Sequence, residues 1–367
     1  MAAAAAAAGG AALAPDAPAV VPPSCAAPAG AFDGDNSNGT PLPVAGGGGA
    51  DAGAGAAAAA PTKGGSRGRA PRGAAVPSPS PSPPAAAPTT TVAFDAVRPS
   101  GYVLPGVLEQ VDGSPSRHAI VMCHGLLSTR DHNFAPALST ALARATGHAV
   151  LRFDFRFDAA PDLEPDFRYR FSGFADDVDD LGVVLRALTA AGWRPWLLVG
   201  HSRGANDVLT WGGSPAAVAA SGVPAFAIAA LSARFDMPAM FTRLFPPETV
   251  ATVDAGGVAA WESKRGALTV TPDDVEVVRR HMDMGAAVAA IPPDVPVLLV
   301  HGAEDAVIPV ADAAAFQAAR PSMEVVVIPG AKHAFAGKVP SRTLLDTVVQ
   351  FATRAAAALH LPTVPPA

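Results

Sequence analysis

From Thr89 onward, the hydrophobic residues of this chain follow two patterns that alternate along the sequence. Short continuous apolar runs are bounded by loops, which is typical of strands buried on both faces. Between them lie segments with a helical period, such as Ala175–Gly192, in which apolar residues recur every three or four positions. The predicted buried strands are His118–Cys123, His148–Phe155, Pro195–Gly200, Pro224–Ala233, Val295–Gly302 and Met323–Gly330.

This alternation predicts a parallel sheet covered by helices on both faces, because each parallel strand needs a crossover connection to the next. Two shorter strands, Thr89–Phe94 and Gly101–Gln110, precede the sheet and are joined by a turn at 99–101. Segment 235–291 breaks the alternation and is too long for a simple loop, so we predict a small helical cap insertion there. The predicted fold class is α/β, a mostly parallel, doubly wound sheet within a domain of residues 89–360.

Residues 1–88 have a different composition, mostly Ala, Gly, Pro and Ser, with almost no large apolar side chains. Such a segment cannot bury enough surface to offset its conformational entropy, so we predict that it is a disordered tail. A short C-terminal tail follows at 361–367. No run of about 18 strongly apolar residues is present, so no membrane span is predicted. The first residues lack the basic and strongly apolar regions of a secretory signal, which favours the cytoplasm and leaves an organelle open.

Charge and cysteine content exclude several classes of function. The chain has 26 Lys and Arg against 32 Asp and Glu, and the net charge of −6 argues against a nucleic-acid partner. Two cysteines, one of them in the tail, cannot form a disulfide framework. The nine histidines are scattered without metal-ligand spacing, so we expect no metal and no cofactor. The composition leaves the oligomeric state open.

Three reactive side chains, Ser202, Asp305 and His333, each come just after a predicted strand. The carboxyl ends of parallel strands meet at one edge of the sheet, where open α/β sheets bind their ligands. A serine hydroxyl becomes an effective nucleophile when a base takes its proton, and an imidazole can do this near neutral pH. A carboxylate can hold that imidazole in the required tautomer. We therefore predict Ser202 as nucleophile, His333 as base and Asp305 as the orienting acid.

The chain resembles the α/β-hydrolases, and more narrowly the cinnamoyl-esterase-like and serine-aminopeptidase-like hydrolases of plants and algae. The resemblance is carried by VMCHGLLSTRD, LRFDF, GHSRGAND, SARFD, VHGAEDAVIP and IPGAKHAF. It implies a nucleophile elbow in which Gly200 and Gly204 leave room for a strained turn at Ser202. It also implies that the backbone N–H groups of Leu126 and Arg203 form an oxyanion hole for the tetrahedral intermediate.

Neighbouring residues offer alternatives to some of these assignments. Glu304 is a rival to Asp305 as the acid, and His360 is a rival to His333 as the base. The guanidinium of Arg203 is a candidate for binding a substrate anion, in addition to the role of its amide. Two further residues of these loops are interpreted as structural: His201 and Cys123.

Candidates for the substrate pocket come from the loop after the first buried strand and from the insertion: His124, Leu127, Phe235, Met237, Met240 and Phe241. His124 is also interpreted as a residue that shapes its loop. The Met and Phe residues have two interpretations, a lid that gives the substrate an apolar wall and an amphipathic helix held on the sheet. Segment Arg156–Phe174 is longer, more acidic and more aromatic than in the related proteins, and we predict that it borders the substrate entrance.

The predicted activity is the hydrolysis of small-molecule carboxylic esters through an acyl-enzyme on Ser202. Amide or peptide hydrolysis by the same residues is an alternative. A non-catalytic ligand sensor that keeps the pocket is a second alternative, because a fold by itself does not determine a function.

Overall fold

The computed structural model describes residues 87–156, 170–263 and 266–362, and in this part of the chain an eight-stranded sheet forms the centre. The strands are β1 (Thr89–Ala93), β2 (Ala96–Val97), β3 (Val103–Leu104), β4 (Gly106–Val111), β5 (His118–Cys123), β6 (Ala149–Phe153), β7 (Arg194–His201), β8 (Ala227–Leu231), β9 (Ala259–Ser263), β10 (Gly266–Val270), β11 (Val297–Gly302) and β12 (Glu324–Ile328). The helices are α1 (Ala135–Thr146), α2 (Phe174–Ala190), α3 (Arg203–Gly212), α4 (Pro215–Ser221), α5 (Met240–Leu244), α6 (Pro247–Asp254), α7 (Pro272–Arg280), α8 (Met284–Ala290), α9 (Ala311–Ala319) and α10 (Lys338–Ala358).

The order of strands across the sheet is β1-β4-β6-β5-β7-β8-β11-β12. Six of the described strands run parallel to one another: β6, β5, β7, β8, β11 and β12. At one edge, β4 pairs antiparallel with β6, and β1 pairs antiparallel with β4. In the register of the centre, Leu198 of β7 lies between Val121 of β5 and Ile228 of β8. The predicted mostly parallel, doubly wound α/β-hydrolase sheet is confirmed.

Each central strand is buried on both faces. Successive residues of β5 alternate between two core layers, so that Ile120 contributes to one and Val121 to the other. Helices α1 and α10 pack on the Ile120 face through Leu138 and Leu344, among others. The helices that cover the Val121 face are α2, α3, α8 and α9. Burying one Leu or Ile side chain stabilises a fold by about 1.5–3 kcal/mol, which explains why these strands read as uninterrupted apolar runs.

The insertion differs from the predicted small helical cap. It contains α5, α6 and α7, but also an antiparallel hairpin of β9 and β10. The hairpin was missed because its strands are short, and the buried Leu268 and Val270 on either side of the exposed Thr269 make a short alternation. The last helix within 235–291, α8, packs against α3 and α9 and therefore belongs to the helical layer of the main domain.

The predicted tail lies outside the described residues except for Ala87 and Pro88, and residues 363–367 of the C-terminal tail lie outside as well. The start of that C-terminal tail contacts the domain, because the carbonyl oxygen of Pro362 lies 3.0 Å from Nε2 of His148. Among the helices described, none combines the length and the apolar character that crossing a membrane requires.

Candidate active site

Ser202 lies in the tight turn between the end of β7 and the start of α3. Its backbone has φ 54° and ψ −119°, which a residue with a side chain adopts only where the surroundings enforce it. A Cβ on Gly200 would lie 2.2 Å from the carbonyl oxygen of Gly204, and a Cβ on Gly204 would lie 2.4 Å from that of His124. The two glycines therefore let the chain close into a turn that presents the serine at the carboxyl edge of the sheet.

A chain of hydrogen bonds joins Ser202 to two residues that are distant in sequence. The Oγ of Ser202 lies 3.0 Å from Nε2 of His333, and Nδ1 of His333 lies 2.8 Å from Oδ2 of Asp305. Asp305 follows β11 and His333 follows β12, so the ends of three strands, β7, β11 and β12, supply the chain. The structure thus brings together the three residues that the sequence predicted as nucleophile, base and acid.

The loop of Asp305 holds its carboxylate as an acceptor. Oδ1 accepts hydrogen bonds from the backbone N–H groups of Val307 at 2.9 Å and Ile308 at 2.8 Å. Burial alone would raise the pKa of Asp305, but its hydrogen bond and charge interaction with His333, together with the Ile308 amide, lower that pKa below its ordinary value. With Asp305 ionised, the imidazole proton lies on Nδ1 of His333. Nε2 then presents a lone pair to the hydroxyl of Ser202.

The backbone of His333 is also held in place. Nε2 of His201 donates to the carbonyl oxygen of His333 at 3.0 Å, and the hydroxyl of Ser232 donates to the same oxygen at 3.3 Å. Burial, followed by the neighbouring His333, lowers the pKa of His201 to about 3, so its ring is neutral near pH 7. His201 is thus a structural support for the His333 loop, in line with its interpretation from sequence.

The two rival residues occupy other places. The side chain of Glu304 is exposed, and its backbone N–H donates to the carbonyl oxygen of Ala331 at 2.9 Å. His360 is exposed just beyond the end of α10. The hydrogen-bonded chain at Ser202 therefore contains Asp305 rather than Glu304, and His333 rather than His360.

The loop after β5 packs directly against the serine. A Cβ on Gly125 would lie 3.1 Å from the Cβ of Ser202, which places the backbone of Gly125 beside Ser202. A turn closes this loop, with the N–H of Ser128 donating to the carbonyl oxygen of Gly125 at 3.2 Å. Arg203 contributes the first amide of α3, and the first N–H groups of a helix point out of its N-terminal end. The backbones of Gly125 and Arg203 thus lie next to Ser202.

His124 shapes the same loop. Its Nδ1 donates to the carbonyl oxygen of Gly125 at 2.8 Å, and its Nε2 accepts the backbone N–H of Phe155 at 3.1 Å. Its ring packs edge-on against that of Phe155, with the centroids 5.1 Å apart. Both ring nitrogens are thus engaged with backbone, which favours the loop-shaping interpretation.

The guanidinium of Arg203 lies inside the protein. Its Nε donates to Oδ2 of Asp177 at 2.5 Å and its Nη1 donates to the carbonyl oxygen of Phe171 at 2.9 Å. The guanidinium also stacks 4.2 Å above the ring of Phe174. Arg203 is 4% exposed, which argues against a role of its side chain in binding a substrate anion. The side chain instead ties the helix that follows the nucleophile to α2.

A second carboxyl group, Asp207, lies in the same buried region. Among the described residues, nothing forms a hydrogen bond with either of its oxygens. Burial, followed by repulsion from Asp177, raises the pKa of Asp207 well above its ordinary value. Burial, with nearby Asp207, likewise raises the pKa of the Cys123 thiol. Cys123 is therefore a core thiol, in line with its structural interpretation.

We expect Arg203→Met to reduce the free energy of unfolding by about 3–5 kcal/mol, because it leaves the Asp177 carboxylate buried without its cation. Urea unfolding followed by circular dichroism measures the loss. Arg342→Met is the matched control, since its pairing with Asp346 lies on the surface of α10 and should leave the unfolding midpoint nearly unchanged. An equally small change for both variants would show that the Arg203–Asp177 pair does not anchor the turn.

The Met and Phe candidates of the insertion pack into the main core. Met237 and Phe241 have no exposed surface, and Met240 is 6% exposed. The half-buried Phe235 packs edge-on against Phe316 of α9, with the ring centroids 5.0 Å apart. The sulfur of Met237 lies 3.7 Å from Nδ2 of Asn206. This packing favours a segment held on the sheet over a loose lid.

Other pocket predictions are placed as follows. Leu127 is buried beside the β5 loop and has φ 50°. Most of segment Arg156–Phe174 lies outside the described residues, at 157–169, including the part expected to border the substrate entrance.

Over residues 87–156, 170–263 and 266–362, no three His, Cys, Asp or Glu side chains are grouped so that they could hold a metal ion.

Three residues that organise the site were not singled out from the sequence. Asp177 belongs to an acidic first helical turn, which indicated only a favourable helix N-terminus. Asn206 and Arg234 lie in the quoted segments GHSRGAND and SARFD, yet their contact joins residues 28 positions apart. Helical and strand periodicity carry no signal for such a pairing.

Comparisons with known proteins agree with the fold. The family model described as serine aminopeptidase, S33, matches residues 114–337. Among solved structures, the esterase domain of a Rhodothermus marinus protein is 25% identical with a TM-score of 0.51, and the match covers 73% of this chain and 98% of that one. Est1E of Butyrivibrio proteoclasticus, with ferulic acid bound, is 19% identical with a TM-score of 0.54, over 71% of this chain and 99% of that one.

Alpha/beta hydrolase domain-containing protein 10 from mouse is 20% identical with a TM-score of 0.52, over 72% of this chain and 99% of that one. A search of curated protein sequences finds no match. The last two structural similarities support the fold, and the family model spans the strand ends that carry Ser202, Asp305 and His333. The chain belongs to the S33 serine aminopeptidase family of α/β-hydrolases.

Proposed function

We propose that the protein is a serine hydrolase that cleaves carboxylic esters through an acyl-enzyme on Ser202. The observation that carries this proposal is the hydrogen-bonded chain Ser202–His333–Asp305 at the carboxyl edge of the sheet. The similarity to the Rhodothermus marinus esterase domain supports an ester rather than another acyl compound as the substrate. The oriented imidazole supports nucleophilic catalysis, because Nε2 of His333 can accept the hydroxyl proton without moving.

In the first half of the reaction, the Oγ of Ser202 attacks the ester carbonyl carbon while Nε2 of His333 takes the hydroxyl proton. The carbonyl oxygen becomes an oxyanion, and the backbone N–H groups of Leu126 and Arg203 are the proposed donors that stabilise it. Asp305 stabilises the imidazolium that forms. When the tetrahedral intermediate collapses, the bond to the alcohol oxygen breaks. That oxygen takes the proton from Nε2 of His333, and the acyl group stays on Ser202.

In the second half, water replaces the alcohol. His333 takes a proton from the water as its oxygen attacks the acyl-enzyme, which forms a second tetrahedral intermediate. The bond to Oγ then breaks and the proton returns to Ser202, so that the acid leaves and the enzyme is regenerated. No group beyond the three side chains and the two amides is needed to balance these steps.

Amide or peptide hydrolysis is the second candidate, and the serine aminopeptidase description of the family model favours it. The same steps apply, with an amine in place of the alcohol as the leaving group. A p-nitrophenyl ester and a p-nitroanilide of one acyl group differ in the leaving atom and share the acyl part. The aryl ester is intrinsically more reactive than the anilide, so hydrolysis of the ester alone fits an esterase, whereas a substantial kcat/KM for the anilide favours an amide hydrolase.

We expect the folded protein to take one fluorophosphonate adduct, on Ser202, and to hydrolyse the p-nitrophenyl ester faster than the matched anilide. Intact mass and peptide mapping locate the adduct, and release of nitrophenol or nitroaniline gives the rates. Faster turnover of the anilide would favour the aminopeptidase-like candidate. A folded protein that takes no adduct and hydrolyses neither compound would overturn the proposal and support the ligand-sensor alternative.

A further inference from the structure

Arg234 lies at the carboxyl edge of the sheet, just after β8. Strand β8 is placed between β7, which leads to Ser202, and β11, which leads to Asp305. Arg234 is 4% exposed, although burying a guanidinium is costly unless its N–H groups find acceptors. The contacts of Arg234 therefore have to offset the cost of burying a cation at this position, between the strand ends that carry Ser202 and Asp305.

The backbone of Arg234 is fixed to the helix of the nucleophile. Nδ2 of Asn206 donates to the carbonyl oxygen of Arg234 at 2.7 Å, and the N–H of Arg234 donates to Oδ1 of Asn206 at 3.1 Å. Asn206 lies in the first turn of α3 and is 2% exposed, and its own N–H donates to the carbonyl oxygen of Ser202 at 3.2 Å. The buried side chain of Asn206 thus fixes the position of the Arg234 backbone relative to Ser202.

The guanidinium of Arg234 reaches the loop of the acid. Its Nη2 donates to the carbonyl oxygen of Val307 at 2.8 Å. The backbone N–H of Val307 donates to Oδ1 of Asp305 at 2.9 Å. Oδ2 of Asp305 in turn accepts from Nδ1 of His333. The arginine therefore acts on the carboxylate through one residue, Val307.

A further contact holds the segment after β8, residues 234–236, in place. Oδ2 of Asp312, in α9, accepts the backbone N–H groups of Phe235 at 2.8 Å and Asp236 at 3.3 Å. The segment is thereby fixed at both ends, to α3 through Asn206 and to α9 through Asp312. Burial lowers the pKa of Arg234, whereas Asp312 opposes this effect, so the side chain remains a cation.

We propose that Arg234 is a positioning residue that holds the turn 305–308 so that the Asp305 carboxylate meets His333. The inference rests on the proposed hydrolase function. It assigns Arg234 no contact with the substrate and no part in proton transfer. Loss of the guanidinium releases the carbonyl oxygen of Val307, lets the turn move, and loosens the contact between Asp305 and His333. The ester should still bind, but the base should be oriented less well.

Arg234→Met tests this inference in the full-length protein. We expect kcat for a p-nitrophenyl ester to fall by about 10- to 100-fold with KM nearly unchanged, because a displacement on the order of 1 Å at a catalytic group costs about that much. Arg234→Lys retains a cation and a donor for Val307 and should recover part of the lost rate. It also serves as the test variant if Arg234→Met does not fold.

A double-mutant cycle with Asp305→Asn distinguishes positioning from general destabilisation. If Arg234 acts through Asp305, its substitution should change kcat by less than about threefold once Asp305 has been replaced. An equal loss of rate in both backgrounds, or no loss of kcat in the single variant, would overturn the inference. Fluorophosphonate labelling of the wild type keeps the two proposals apart, since an unlabelled wild type would contradict the hydrolase function itself.

Arg320→Met is the matched control, because Arg320 is also a buried arginine that donates to backbone carbonyl oxygens. It is 5% exposed and donates to Ile291, Pro292 and Val295, before β11 begins and thus at the opposite edge of the sheet. We expect Arg320→Met to lower the urea midpoint and leave kcat unchanged. A similar fall in kcat for both arginine variants would attribute the effect to lost stability alone.

Discussion

Ser202→Ala is expected to lower kcat for ester hydrolysis by about 10⁶-fold, because removing the nucleophile from a serine–histidine–aspartate site abolishes covalent catalysis. The fold should remain, since alanine keeps the same backbone at φ 54° and loses only a partly exposed hydroxyl. Initial rates with a p-nitrophenyl ester at high enzyme concentration give the residual turnover, and urea unfolding gives the stability.

The fluorophosphonate adduct provides the control for this variant, since a folded Ser202→Ala protein should take none. Turnover within about tenfold of the wild type would mean that another residue attacks the ester. An adduct that persists in the variant would identify that residue by peptide mapping.

Asp305→Asn is expected to lower kcat by about 10⁴-fold while the protein stays folded, which is the loss typical of a wrong imidazole tautomer. The structure gives the reason. The side-chain oxygen that accepts from the Val307 and Ile308 amides should stay in place, so the new amide NH₂ would face Nδ1 of His333. Nδ1 would then have to accept, and Nε2 would carry a proton and could no longer take the one on Ser202.

Glu304→Gln is the matched control for this variant. The two acids are adjacent in sequence, but the side chain of Glu304 is exposed. We expect Glu304→Gln to retain nearly the full kcat, and the same ester assay measures both variants. Comparable losses in the two variants, or an Asp305→Asn protein within tenfold of the wild type, would contradict Asp305 as the acid.

Much of the fold could be predicted from the sequence, because buried strands appear there as continuous apolar runs and buried helix faces as apolar residues at every third or fourth position. The run His118–Cys123 coincides with β5, and the predicted helical segment Ala175–Gly192 coincides closely with α2 (Phe174–Ala190). The site was accessible for a related reason. Parallel strands all end at one edge, so reactive residues just past strand ends are brought together whatever their separation in the chain.

The sequence did not predict two of the side-chain contacts, because helical and strand periodicity carry no signal for them. The ion pair of Arg203 with Asp177 and the contact of Asn206 with Arg234 each join two elements packed side by side, and the identity of the partners depends on how those elements are rotated. The β9–β10 hairpin was missed for a local reason, because two alternating buried residues are too few to indicate a strand. For the two pairings, the missing information is side-chain direction rather than residue type.

The order of strands in the sheet has a consequence for biosynthesis. Strands β5 to β8, which carry the β5 loop and Ser202, are adjacent to one another, whereas β11 and β12 are added beyond β8 at the free edge. Synthesis from the amino end thus makes the β5 loop and the Ser202 turn available before the last two strands exist. Asp305 and His333 emerge with those strands. A nascent or truncated chain therefore carries Ser202 without its proposed base and acid, and the proposed hydrolysis requires a nearly complete chain.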